Sequence, residues 1–273
     1  MSDSLPSLIH AVDQAESSGH LIKAVRNLAA AQLEGAIPTL IAVLSYNNPG
    51  AAIASVDGLV SLGEPAIPAL LEQLDQHNYT ARSWAIRALA GIGDPRGLVT
   101  LLGAATADFS PSVRRAAARG LGAMKWHWFP ANLLDVAQEE ALEALLFVVH
   151  QDEEWVVRYA AVVGLQSLLT EIAPVHPDWR SQIEAQFAQV IEQEETLAVR
   201  ARACMALQQL QSSPAAVIPP TTEHLSPLSD TDWQNILEKL YERKEQERNV
   251  FAEGDPRRYK NLAEAVSPHP DSL

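Results

Sequence analysis

Cysteine is nearly absent from this 273-residue chain, which has only Cys204. A single thiol excludes an internal disulfide and any cysteine-built metal site, and it suits a reducing, cytoplasmic setting. Long apolar runs are absent as well. Hydrophobic residues make up 47% of the chain. Yet no stretch approaches the roughly 20 consecutive apolar residues that span a bilayer, so no membrane insertion is expected. The opening MSDSLPSLIH has no basic segment leading into an apolar one, so no secretory leader is expected. Positive charge is scarce. Twenty Lys and Arg stand against 34 Asp and Glu, a net −14, which argues against nucleic acid as a partner. Such a balance suits a basic partner, or serves solubility alone.

Catalytic signatures are missing too. The chain has no G-x-x-x-x-G-K-[ST] loop, no G-x-G-x-x-G turn, no H-E-x-x-H helix and no G-x-S-x-G elbow. Its eight histidines are scattered without ligand spacing. No metal site and no permanently bound cofactor are expected.

What the chain does have is a repeat. Ala36-Ile37-Pro38 recurs thirty residues later as Ala66-Ile67-Pro68, and each opens an apolar helical pattern, IPTLIAVL or IPALLEQL. Proline fits the first turn of a helix, where its missing N–H costs nothing. A turn follows each, and then a second helix of one recurring type. These read AAIASVDGL (51–59), ARSWAIRAL (81–89), VRRAAARGL (113–121), VRYAAVVGL (157–165) and VRARACMAL (199–207). The closing leucines, Leu59, Leu89, Leu121, Leu165 and Leu207, are 30, 32, 44 and 42 residues apart, and a half-unit ends at Leu28. Ala51, Ala81, Val113, Val157 and Val199 form one column. Ser55, Ala85, Ala117, Ala161 and Ala203, four residues on, form the next. With the leucines they make an i, i+4, i+8 stripe, the buried face of a helix. Gly58, Gly120 and Gly164 before three of the leucines let neighbouring helices approach. Cys204 falls in a column with Val56, Ile86, Ala118 and Val162 and reads as a small buried hydrophobe.

The pattern predicts an all-α fold, a right-handed α-solenoid of about five HEAT-like helical hairpins, over residues 1–211. Residues 212–229 read as a Pro-rich linker, and 230–273 as a C-terminal helix with a flexible tail. Arg82, Arg114, Arg158 and Arg200 form a further column. Asp108, Asp152 and Glu194 each stand five residues before the unit's valine, placed to cap the helix and build an acid–arginine ladder between units. The two longer spacings mark insertions, one holding Lys125 to Pro130 and the other Pro174 to Trp179. The Trp126–Phe129 cluster reads either as an anchor for its insertion or as a stacking platform.

In HEAT solenoids the second helices line the concave side. Two columns on these helices share one face: Asp57, Arg87, Arg119, Val163 and Met205, and, four residues earlier, Ile53, Ser83, Arg115, Tyr159 and Ala201. Asp57, Arg87, Arg115, Arg119 and Tyr159 are therefore expected to face one groove, with Trp84 at its edge. Between residues 80 and 120 six arginines stand against two acidic residues, the reverse of the chain's overall balance. Guanidinium groups so placed hold carboxylates or phosphates by paired hydrogen bonds. The alternative reading is a solvated helix face.

The segment from Ser45 to Leu102 resembles the HEAT-repeat bilin lyases of the E/F type, the phycocyanobilin lyase subunits of cyanobacteria. The NNPG turn and the run NYTARSWAIRALAGIGDPRGL carry the resemblance most specifically, and it extends over roughly residues 8–210. It implies that the chain binds a linear tetrapyrrole, with phycocyanobilin as substrate, and assists its thioether attachment to a cysteine of a phycobiliprotein subunit. A second E/F-type subunit is an implied partner. The arginines would clamp the bilin propionates, and Asp57 would meet its pyrrole nitrogens. Some members also isomerise the bilin with a His–Cys pair, placed near the NNPG turn. The turn here, Tyr46-Asn47-Asn48-Pro49-Gly50, has neither residue, so no isomerase activity is expected. The alternative is a non-catalytic HEAT-repeat adaptor, serving phycobilisome turnover or an iron–sulfur carrier.

Overall fold

A computed structural model describes residues 4–74, 78–172, 175–212 and 227–250. The chain divides into two compact units, Met1–Pro227 and Leu228–Leu273. All regular structure among the described residues is helical. The first unit is a stack of helical hairpins. Its helices are α1 (Leu5–Asp13) and α2 (Ser18–Ala30), α3 (Ile37–Val43) and α4 (Pro49–Leu62), α5 (Ile67–Leu74) and α6 (Tyr79–Ile92). They continue as α7 (Leu98–Ala107) and α8 (Pro111–Gly122), α9 (Ala131–Gln151) and α10 (Trp155–Ile172), α11 (Pro177–Gln193) and α12 (Leu197–Ser212). The half-unit ending at Leu28 is thus a full hairpin, which brings the described hairpins to six. The second unit contains α13 (Asp230–Val250). The linker expected over 212–229 falls mostly on 213–226, and the tail on 251–273, both outside the described residues.

The second helices stack in order: α2 on α4, α4 on α6, α6 on α8, α8 on α10 and α10 on α12. The small-residue columns form this spine. Leu28, Leu59, Leu89, Leu121 and Leu165 are buried, as are Ala81, Val113, Val157 and Val199. Leu207 and Cys204, in the last hairpin, are only half-buried, so the reading of Cys204 as a core residue is corrected. Their counterparts in the other hairpins are covered by the next helix, and no further hairpin stacks on α12 among the described residues. The glycines before the leucines do set close approaches. A Cβ on Gly58 would stand 2.6 Å from the Cβ of Ala29, and one on Gly120 2.6 Å from that of Ala90. α8 and α10 touch backbone to backbone at Gly122 and Gly164.

Local chemistry sets the helix ends. Asn48 and Asn78 cap α4 and α6, their side-chain oxygens accepting from Ala51 and Ala81 N–H at 3.1 Å each. Asn48 also donates to the Ser18 hydroxyl at 3.0 Å, tying this turn to the start of α2. Gly63 and Gly93 close α4 and α6 with φ of 73° and 68°, a region where a side chain would clash. The longer spacings are absorbed mainly by longer helices: α9 has 21 residues and α11 has 17, against 7 in α3 and 8 in α5. Trp126 and Phe129 are buried with ring centroids 5.2 Å apart, and the N–H of Lys125 donates to Gly93 O at 2.8 Å. The aromatic cluster is therefore the anchor of its insertion.

The acid–arginine ladder joins successive hairpins. Arg114 Nε donates to Asp152 at 2.6 Å and Arg158 Nε to Glu194 at 2.7 Å, each through a two-pronged contact. Arg82 meets Asp108 at a looser 3.7 Å. The acids end the first helices rather than capping the second ones. Asp108, Asp152 and Glu194 accept from the N–H two residues on, in Ser110, Glu154 and Thr196.

Candidate ligand groove

The second helices set the site because their inner face buries the small columns and leaves one polar stripe per helix outside. Asp57, Arg87, Arg115, Arg119 and Tyr159 are all exposed on α4, α6, α8 and α10. The structure does not gather them into one groove. Arg87, Arg115 and Arg119 converge, with Ser112, on a cavity of about 410 Å³ between α6 and α8. Its floor is Ala90, Gly91, Ala116, Gly120 and Ala123, residues too small to fill the space. Trp84 sits beside it, with the Arg87 guanidinium 4.5 Å from the centre of its ring. Asp57 instead lines a neighbouring cavity of about 220 Å³ between α2 and α4, together with Arg26, Gln32 and Ser61. Tyr159 lies outside both cavities, on α10.

The electrostatics separate these arginines from their neighbours. Six arginines lie between residues 80 and 120. Arg82 and Arg114 belong to the ladder, and Arg96 is held by Asp94 through contacts of 2.9 and 2.8 Å. The other three, Arg87, Arg115 and Arg119, have no carboxylate in ion-pair range among the described residues. Arg87 has its pKa lowered, first by partial burial and then by the charge of Arg115, with Asp57 acting in the opposite sense. Arg87 is solvent-exposed, so both effects are screened. A like charge beside it, and no carboxylate in ion-pair range among the described residues, make the cavity cationic. By contrast, Arg114 and Arg158 have their pKa raised, chiefly by the hydrogen bonds they donate to Asp152 and Glu194.

Two contributors are new. Arg26 stands two residues before Leu28, in register with Asp57, Arg87 and Arg119, so the leucine spacing already contained it once the half-unit is read as a full one. Ser112 has no counterpart signal in the repeat. No cluster of His, Cys, Asp and Glu suited to a metal occurs among the described residues. No described helix is long and apolar enough to cross a membrane. Chemically, the groove offers a cationic cavity with an aromatic edge, next to a cavity lined by one cation and one carboxylate. It carries no nucleophile with an adjacent base.

The HEAT-repeat family signature matches residues 67–166. Over 98% of its length the chain is 62% identical to a protein of Pseudanabaena tenuis named phycocyanobilin lyase subunit beta, of which it covers 99%. A Nostoc protein of the same name is 49% identical over 74% of this chain and 98% of its own. A solved Nostoc structure, the complex of CpcE and CpcF of phycocyanin lyase, contains a chain 49% identical to this one. That chain is matched with a TM-score of 0.57 over 63% of this chain and 98% of its own.

Proposed function

Because the chain belongs to the HEAT-repeat bilin lyases of the E/F type, we propose that it binds phycocyanobilin along the second-helix face and presents it for attachment. It is a bilin lyase subunit that assists chromophore attachment to a phycobiliprotein subunit, working with a second E/F-type subunit. The proposed place of action is the cytoplasm, which a single thiol suits. The names of the relatives favour this reading over the adaptor alternative.

The observation that carries the binding site is the set of three arginines around one cavity, with no carboxylate in ion-pair range among the described residues, in a chain of net charge −14. A linear tetrapyrrole brings two propionates, and Arg87, Arg115 and Arg119 supply planar donors for both. Trp84 holds Arg87 from behind and offers a ring face at the cavity edge. Asp57, on the next helix, is near enough to Arg87 to act on its charge, and it accepts a ring N–H of the same ligand. The acceptor protein brings the thiol, so this chain needs no cysteine in the groove. Its contribution is position: a bound, oriented bilin turns a two-body encounter into a local one, an effect of several kcal/mol. Tyr159, beyond the arginines on α10, borders the path along which the acceptor reaches the ligand.

The test is titration with phycocyanobilin, followed by absorbance, together with co-expression of the acceptor subunit and the second lyase subunit. Losing one charge-assisted contact costs about 1.5–3 kcal/mol, more than tenfold in affinity. Arg115→Glu with Arg119→Glu is expected to abolish binding and transfer while leaving the melting temperature unchanged, since both side chains are exposed. Wild-type binding and transfer by this double variant would reduce the stripe to a solvated surface.

A further inference from the structure

We propose that Arg26 and Asp57 form a second recognition site, one that reads the terminal lactam ring of the bilin. The proposal rests on the bilin reading above and adds the ligand's orientation to it.

The cavity between α2 and α4 has an unusual pair of walls. Arg26 comes from α2 and Asp57 from α4, at matching positions two residues before Leu28 and Leu59. The small residues Ala29, Ala30, Ala54 and Gly58 make its floor. Cation and carboxylate share this space of about 220 Å³, yet no ion pair joins them among the described residues. Each therefore retains hydrogen-bonding capacity toward a third group. A simple anion is drawn by Arg26 and repelled by Asp57. A simple cation meets the reverse. A group with a donor and an acceptor side by side satisfies both. A lactam is such a group: its N–H donates to the Asp57 carboxylate, and its carbonyl accepts from the Arg26 guanidinium.

The same ligand can reach this site from the arginine cavity. Neighbouring helices in such stacks lie about 8–10 Å apart, and Asp57 already acts electrostatically on Arg87 one helix away. The propionates belong to the two middle rings of the tetrapyrrole, and the lactams to its two ends. With the propionates at Arg87, Arg115 and Arg119, one end ring runs back over α4 toward Asp57 and Arg26. The other end runs forward over α10, clear of the arginines, where the acceptor thiol can approach. The order of charges along the stripe thus places one lactam end against α4 and leaves the other over α10.

Phycocyanobilin and its dimethyl ester separate the two sites, because the ester lacks the propionate charges and keeps both lactams. Each is titrated into the full chain together with its second E/F-type subunit, with this chain as wild type, as Arg26→Ala, and as Arg115→Ala with Arg119→Ala. Arg26→Ala is expected to weaken both ligands by about tenfold. The double variant is expected to weaken the free acid far more than the ester, which lacks the charges that the arginines meet. If Arg26→Ala weakens only the free acid, Arg26 is a further propionate contact and the lactam assignment falls while the bilin reading stands. If Arg26→Ala changes neither ligand, the lactam assignment falls as well. If the wild-type pair of subunits binds neither ligand, the bilin reading itself fails. Unchanged melting temperatures of the variants tie any loss to contact and not to folding.

Discussion

At the scale of single residues, this chain puts chemically identical side chains to two uses. Arg114 and Arg115 are adjacent in sequence, yet one is locked to Asp152 and the other faces a cavity. Helix geometry explains it: successive residues point about 100° apart, so one reaches the hairpin junction and the other the stripe. The junction pairs are also pH-sensitive. Arg158, chiefly through its hydrogen bond, holds Glu194 down at a pKa of about 2. A carboxyl depressed in the folded state contributes stability above its unfolded pKa of about 4.5 and loses it as the pH falls toward 2. Thermal melts of the wild type and Glu194→Gln should therefore differ most at neutral pH and converge between pH 4.5 and 2. A difference that stays constant across this range would remove the pair from the acid-side stability of the protein.

At the scale of elements, glycine content decides how closely the helices stack. Gly122 of α8 lies against the backbone of Gly164 of α10, so an added Cβ has nowhere to go. Gly103, inside α7, has nothing within 4 Å of the same atom. The two glycines should answer the same substitution with opposite signs. Gly103→Ala gains helix propensity and is expected to stabilise by about 0.5–1 kcal/mol. Gly122→Ala overpacks a helix crossing and is expected to cost about 1–3 kcal/mol, with the larger values if the stack cannot relax. Denaturant melts of the two variants check this. A neutral Gly122→Ala would show that α8 and α10 can separate without loss.

At the scale of the whole molecule, the groove lies wholly in the first compact unit, Met1–Pro227. The Nostoc relative is matched over 98% of its length by 74% of this chain, whereas the Pseudanabaena relative is matched over 98% of this chain. The Nostoc relative of the same name is thus shorter than this chain. Stability in such a stack is a sum over hairpins and their interfaces, so cutting outside the stack leaves those terms in place. A chain ended at Pro227 is expected to bind phycocyanobilin with the affinity of the full chain and to keep its melting temperature within a few degrees. A loss of binding in this shortened chain would assign Leu228–Leu273 a part in the site.

The sequence by itself determined the repeat, the second-helix columns and which face of each helix is buried. These are local properties: small residues at i, i+4 and i+8 specify one stripe whatever lies elsewhere in the chain. It also placed Asp57, Arg87, Arg115, Arg119 and Tyr159 on one exposed stripe, with Trp84 near it, and Arg26 was within reach once Leu28 was counted as a full unit. Only the tertiary structure decided which arginines meet a carboxylate. Arg114 is neutralised by an acid 38 residues away and Arg158 by one 36 residues away, across hairpins whose lengths differ. Only the stacking of helices decided that Asp57 shares a cavity with Arg26 and not with the three arginines. Each cavity forms between two helices, and its walls are therefore set by packing and not by position along either one.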